Sequence, residues 1–194
     1  SFIVSFLYIF LLYFIAFFFF HVKLFFFEHL LYLWQVEDIL RAYDLNFDRV
    51  KAEYLARFTF DNDNDRAANE KWYEDHCQMM IGEGLRERGH LQIHEHLLQE
   101  LEETHQRLLK DDKYPYYRQM YYKVLPYIVE LRAKGGRSDN KEIGVCMDFL
   151  YGLLLLRLQH KEVTPDTERA ATDITTLLGQ LSDYYFKLEE TAEA

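Results

Sequence analysis

Leu91-Gln-Ile-His-Glu-His-Leu-Leu-Gln-Glu-Leu-Glu-Glu-Thr-His-Gln-Arg-Leu-Leu-Lys110 sets Leu91, His94, Leu98, Leu101, His105 and Leu108 at intervals of three and four residues. Side chains so spaced share one face of an α-helix and fit the seam of a helical bundle. The same periodicity continues upstream, where a helix over residues 28–43 carries Leu30, Leu33, Trp34 and Leu40 on one side and leaves Glu37 and Asp38 to solvent. A second helix follows, with Phe47, Val50, Tyr54, Leu55 and Phe58 as its stripe and Asn46 or Asp44 as its cap. A third, capped by Asp65, carries Trp72, Tyr73, Met79, Met80 and Ile81 and stops around Gly89.

Downstream, a helix opening near Pro115 runs through Met120, Val124, Ile128 and Leu131 to Gly135, and Pro126 inside it is expected to bend it. Residues 140–161, with Cys146, Phe149, Leu150, Leu153, Leu154 and Leu156, read as the central helix. Thr164 and Pro165 open the last one, whose buried side is Ile174, Leu177, Leu178, Leu181, Tyr185 and Leu188. With three prolines, no Asn-Gly hairpin signal and no sustained two-residue alternation, the chain is expected to be all-α. The architecture predicted is a single bundle of about seven helices over residues 28–194, preceded by an apolar segment over residues 1–27.

That segment holds eleven of the sixteen Phe residues and one charge, Lys23. Residues 2–20 contain no charge at all and would span about 28 Å as a helix, close to one bilayer core. Two expectations follow: a single-pass membrane anchor, or a mistranslated leader, since Phe17 to Phe20 and Phe25 to Phe27 are homopolymeric and the chain opens without Met. A secretory signal fits less well, because no basic residue precedes the apolar run and no small-residue cleavage pattern follows it. From Glu28 onward 21 basic residues face 32 acidic ones, which disfavours a grip on nucleic-acid phosphates. Cys77 and Cys146 are far apart and in no metal-binding spacing, so buried thiols in a cytoplasmic protein are expected.

The stretches Tyr32-Leu-Trp-Gln-Val-Glu-Asp38, Gly89-His-Leu-Gln-Ile93, Leu125-Pro-Tyr-Ile-Val-Glu-Leu-Arg-Ala-Lys134 and Tyr151-Gly-Leu-Leu-Leu-Leu-Arg-Leu158 together resemble the uncharacterised bacterial domain-of-unknown-function family 4924, over about residues 28–185. The resemblance implies a small helical protein and carries over no reaction, cofactor or site residue.

Read on their own, the residues offer few sites. Glu102-x-x-His105, with His94 on the same face, has the spacing of bundle-core metal ligands, so His94, Glu102 and His105 are the candidate metal set of a helical enzyme or sensor. Hydrogen-bonded seam histidines are the alternative. Asp61-Asn-Asp-Asn-Asp65 opens like a calcium loop, but Arg66 stands where that loop needs Gly and Trp72 where it needs Glu. Residues 135–141 read as a helix-to-helix turn and not as an anion site. Tyr114, Tyr116, Tyr117, Arg118, Tyr121 and Tyr122 form an aromatic strip with nearby cations, the expected interaction surface for a protein partner or a second copy. No nucleophile with a histidine partner stands out, and neither a catalytic residue nor a cofactor is assigned. The function expected is that of a noncatalytic interaction or scaffold domain.

Overall fold

The computed structural model describes residues 25–134 and 141–192. Residues 2–20, which carry the membrane expectation, and most of the 135–141 turn lie outside that range. Among the described residues there are seven α-helices and no strand, the all-α architecture the periodicity predicts. They are α1 (Phe25–Ala42), α2 (Phe47–Arg49), α3 (Asp63–Gly82), α4 (Gln92–Lys110), α5 (Pro115–Ala133), α6 (Glu142–Leu158) and α7 (Pro165–Ala192). None is long and apolar enough to cross a membrane.

These helices divide into two compact units, one of residues 32–95 and one combining residues 25–31 with residues from 96 on. The core of the first is built from Val36, Leu40, Leu45, Val50, Leu55, Tyr73, Cys77, Met80 and Leu91. Between α1 and α2 the chain reverses through Asp44 and Leu45, both at positive φ. The Leu45 amide reaches back to the Leu40 carbonyl at 2.9 Å, which ends α1 and drives the Leu45 side chain into the core. Asn46 caps α2, accepting from the Arg49 amide. Here the structure departs from the expected single helix over 47–58: α2 widens into a π-helical stretch over Val50–Tyr54 and tightens into a 3-10 turn over Leu55–Arg57. The third helix begins earlier than expected, because Asn62 and not Asp65 supplies the cap, taking the Asp65 amide at 2.9 Å.

In the second unit α5 packs on both α6 and α7, and those two also touch. Val124 and Ile128 of α5, Ile143, Cys146 and Met147 of α6, and Ile174, Leu177, Leu178 and Leu181 of α7 are buried. Polar ties cross between the same helices: Lys123 to Asp173 at 2.5 Å and Arg157 to Glu168 at 2.6 Å. Pro126 lies inside α5, which is assigned as one helix across it. The helix also begins where proline favours a first turn, at Pro115.

The first helix starts at Phe25 and not at Glu28. Phe27 is 3% exposed, and the Phe26 ring lies against Tyr185 and Phe186 of α7. The last residues of the Phe-rich segment thus belong to a packed helix.

Candidate functional site

Two buried polar groups and one exposed helix face carry what chemistry the fold offers. The first group centres on Glu37, which lies on the same side of α1 as Trp34 and Leu40 and is fully buried, contrary to the expectation that it faces water. Gly89, at φ +95°, bends the chain so that the residues entering α4 arrive at this carboxylate. The His90 ring donates its Nδ1 proton to Oε2 at 2.6 Å, the His94 ring donates to Oε1 at 2.8 Å, and the Leu91 amide donates to Oε1 at 3.1 Å. A carboxylate only accepts, so it fixes both imidazoles as Nδ1–H donors. The Trp34 indole stacks on His90 with ring centres 4.0 Å apart. Arg41 closes the turn, bonding the Gly89 carbonyl at 2.8 Å while gripping Asp38 through two nitrogens. Burial alone would raise the Glu37 carboxyl; the three donors overcome it and hold the group at about 2.

The second group centres on His105, which is fully buried in α4. Its Nε2 faces Glu142 Oε2 at 3.0 Å and its Nδ1 faces the Tyr117 hydroxyl at 2.6 Å. Because Glu142 accepts, Nε2 carries the proton and Tyr117 O–H donates to Nδ1, giving an ordered Tyr–His–Glu chain. Tyr121 donates to the other oxygen of Glu142 at 3.1 Å. The His105 bond holds the Glu142 carboxyl below the ordinary range against partial burial. Burial, and then the neighbouring Glu142, push the Tyr121 phenol up to about 12. Glu102 does separate work: it accepts the Ile143 amide at 2.9 Å at the start of α6, and Gln106 at 3.1 Å. An open groove of about 1100 Å³ beside it is lined by four acids and four cations, a balance that selects neither sign of ligand.

The candidate metal set is therefore distributed over separate partners, with His94 held by Glu37, His105 by Tyr117 and Glu142, and Glu102 by the α6 amide. Among the described residues no group of three or more His, Cys, Asp or Glu side chains is arranged to hold an ion. Sequence reasoning missed the roles of Glu37, His90 and Glu142. The usable signal was that Glu37 stands three residues from both Trp34 and Leu40, on the buried stripe.

The tyrosine strip splits into two faces. Tyr117 is fully buried and does not belong to a surface, a correction that follows from its place at the start of the inward series Tyr117, Tyr121, Val124 and Ile128. Tyr114 is half-buried against Tyr184, Tyr121 is tied to Glu142, and Arg118 pairs with Asp112 at 2.8 Å. Tyr116 and Tyr122 remain outside, 76% and 65% exposed, with Val129 at 57%.

These features define an all-α protein with internal histidine–carboxylate pairs and an apolar outer helix face. Residues 23–192 match the family model described as a domain of unknown function, DUF4924, and the chain belongs to that family. No curated protein and no solved structure matches it. The stretches around Trp34 and Gly89, on which the resemblance rests in part, supply Glu37 and His90 to one buried group.

Proposed function

We propose that this chain is a noncatalytic helical interaction domain that docks a protein along the outward face of α5. The observation carrying this reading is that Tyr122 and Val129, large and apolar, stand mostly in water on a helix whose other side buries Tyr117, Val124 and Ile128. Exposed aromatic and aliphatic clusters of this kind are enriched where proteins bind proteins. A photo-crosslinking amino acid at Tyr122 of the full chain tests it, with the exposed position Gln99 of α4 as control. Protein adducts at Tyr122 and none at Gln99 are expected; equal yields at both would refute the docking face.

A metal-dependent role has less support, since each candidate ligand already has a hydrogen-bond partner. Elemental analysis of the purified chain is expected to find no stoichiometric metal, and one equivalent would revive it. The free, buried thiols Cys77 and Cys146 favour a cytoplasmic setting for residues 28–194. Cell fractionation checks that placement, and recovery of the full chain with membranes would point instead to an anchor through residues 2–20.

A further inference from the structure

We propose that His90 is a phosphoryl-acceptor site, its Nε2 taking a phosphoryl group from a donor of the phosphoramidate class. This site is independent of the docking face on α5.

A neutral imidazole has one N–H and one lone pair. With the ionised Glu37 accepting from both Nδ1 atoms, His90 and His94 keep their lone pairs on Nε2. Neither Nε2 has a hydrogen-bond partner among the described residues. The two rings differ in access and in support. The His90 side chain is 13% exposed and that of His94 8%. The Trp34 indole lies within 12° of parallel to the His90 ring and fixes its plane, while Glu37 fixes its rotation. A carboxylate on Nδ1–H is what readies Nε2 in a Ser-His-Asp site, because it sets the tautomer and lies against the positive charge that develops on the ring as Nε2 reacts. The electron-rich face of Trp34 lies against the same charge.

The Glu37 bond also selects the group transferred. An acyl group withdraws electrons and expels the Nδ1 proton, which would set two acceptors face to face at Glu37. A phosphoryl group, itself anionic, lets the ring keep that proton and the bond. In the transfer the Nε2 lone pair forms an N–P bond as the P–N bond of the donor breaks. The donor nitrogen, already protonated, leaves with that electron pair as ammonia. The ring, still carrying its Nδ1 proton, becomes positive between Glu37 and the new phosphoryl group. Positive potential lies nearby on the chain: Arg41 is bonded to the carbonyl of Gly89, and the first turn of α4 follows at Gln92. Glu37 and Glu83 accept the Leu91 and Gln92 amides of that turn, and the Ile93 amide has no partner among the described residues.

The full chain is incubated with ammonium phosphoramidate near neutral pH, and phosphohistidine is located by mass spectrometry. Phosphorus NMR separates the Nε2 from the Nδ1 isomer. His96 and His160, both exposed, serve as references within the same molecule. His90 is expected to be labelled at Nε2 about tenfold faster than either, although it is the least accessible of the three. In urea the three rates should converge. His90→Gln should remove the fast label and leave the slow ones. Glu37→Gln should bring His90 down to the rate of His96 and leave His96 unchanged, with a thermal scan showing that the variant is folded. Where it is not, the ranking in the wild-type chain decides alone. A ranking that follows exposure, a phosphoryl group on Nδ1 of His90, or no label at His90 overturns the site. So does a folded Glu37→Gln variant in which His90 keeps its lead.

Discussion

A carboxylate enclosed by apolar side chains persists only where donors replace its water, and Glu37 has three. Its carboxyl sits at about 2 in the folded chain against an ordinary 4.5, so the folded form holds fewer protons than the unfolded form across that interval. The stabilisation is complete above about 4.5 and drains away as the pH falls towards 2, with a size of order 3 kcal/mol. Glu37→Gln is therefore expected to cost about 2 to 4 kcal/mol near neutrality. The gap from wild type should narrow as acid is added, as read by urea unfolding at a series of pH values. A gap constant down to pH 2 would show that the charge is not what matters. The sequence reading left this residue to solvent, although its neighbours at three residues on either side, Trp34 and Leu40, mark its position as buried. Its acidic character pointed the other way, and burial followed position. For Tyr117 the same arithmetic against Val124 and Ile128 separates inside from outside, whereas its chemistry suggested a surface.

Among whole elements, the long periodic helices were readable because apolar residues at three and four positions demand a single partner face. Their ends were read less well. At the α6 terminus the Lys161 amide returns to the Leu156 carbonyl at 3.0 Å, a closure that forces His160 to φ +54°. Sequence spacing extended this helix to residue 161, since histidine gives no stop signal where glycine would. His160 is exposed, so His160→Gly should remove backbone strain at no packing cost and stabilise by roughly 0.5 to 1 kcal/mol. A rise of a few degrees in the thermal midpoint is the expected reading, and a fall would mean that the side chain contributes more than its backbone costs. The π-helical stretch over Val50–Tyr54 lay beyond reach for another reason. It shifts the bonding partner by one residue while the side chains keep a helical rhythm, and that rhythm is all a sequence displays.

For the molecule as a whole, composition located the change from apolar leader to charged body within a few residues, yet charge is a poor guide to where packing begins. Phe26 and Phe27 precede the first acidic residue, yet Phe27 is buried and the Phe26 ring packs on Tyr185 and Phe186 of the second unit. A chain beginning at Phe25 is expected to keep that contact, and one beginning at Glu28 to lose about 3 to 5 kcal/mol of stability. Urea midpoints of the two shortened chains measure it, and coincident midpoints would place the folded boundary at Glu28. The amide of Leu91 finds its acceptor on a side chain 54 positions earlier. During synthesis from the N terminus, α1 therefore leaves the ribosome with a bare anion on its greasy side. Until the Leu91 segment emerges to supply its donors, that helix has reason to stay in water, and completion of this unit waits on translation.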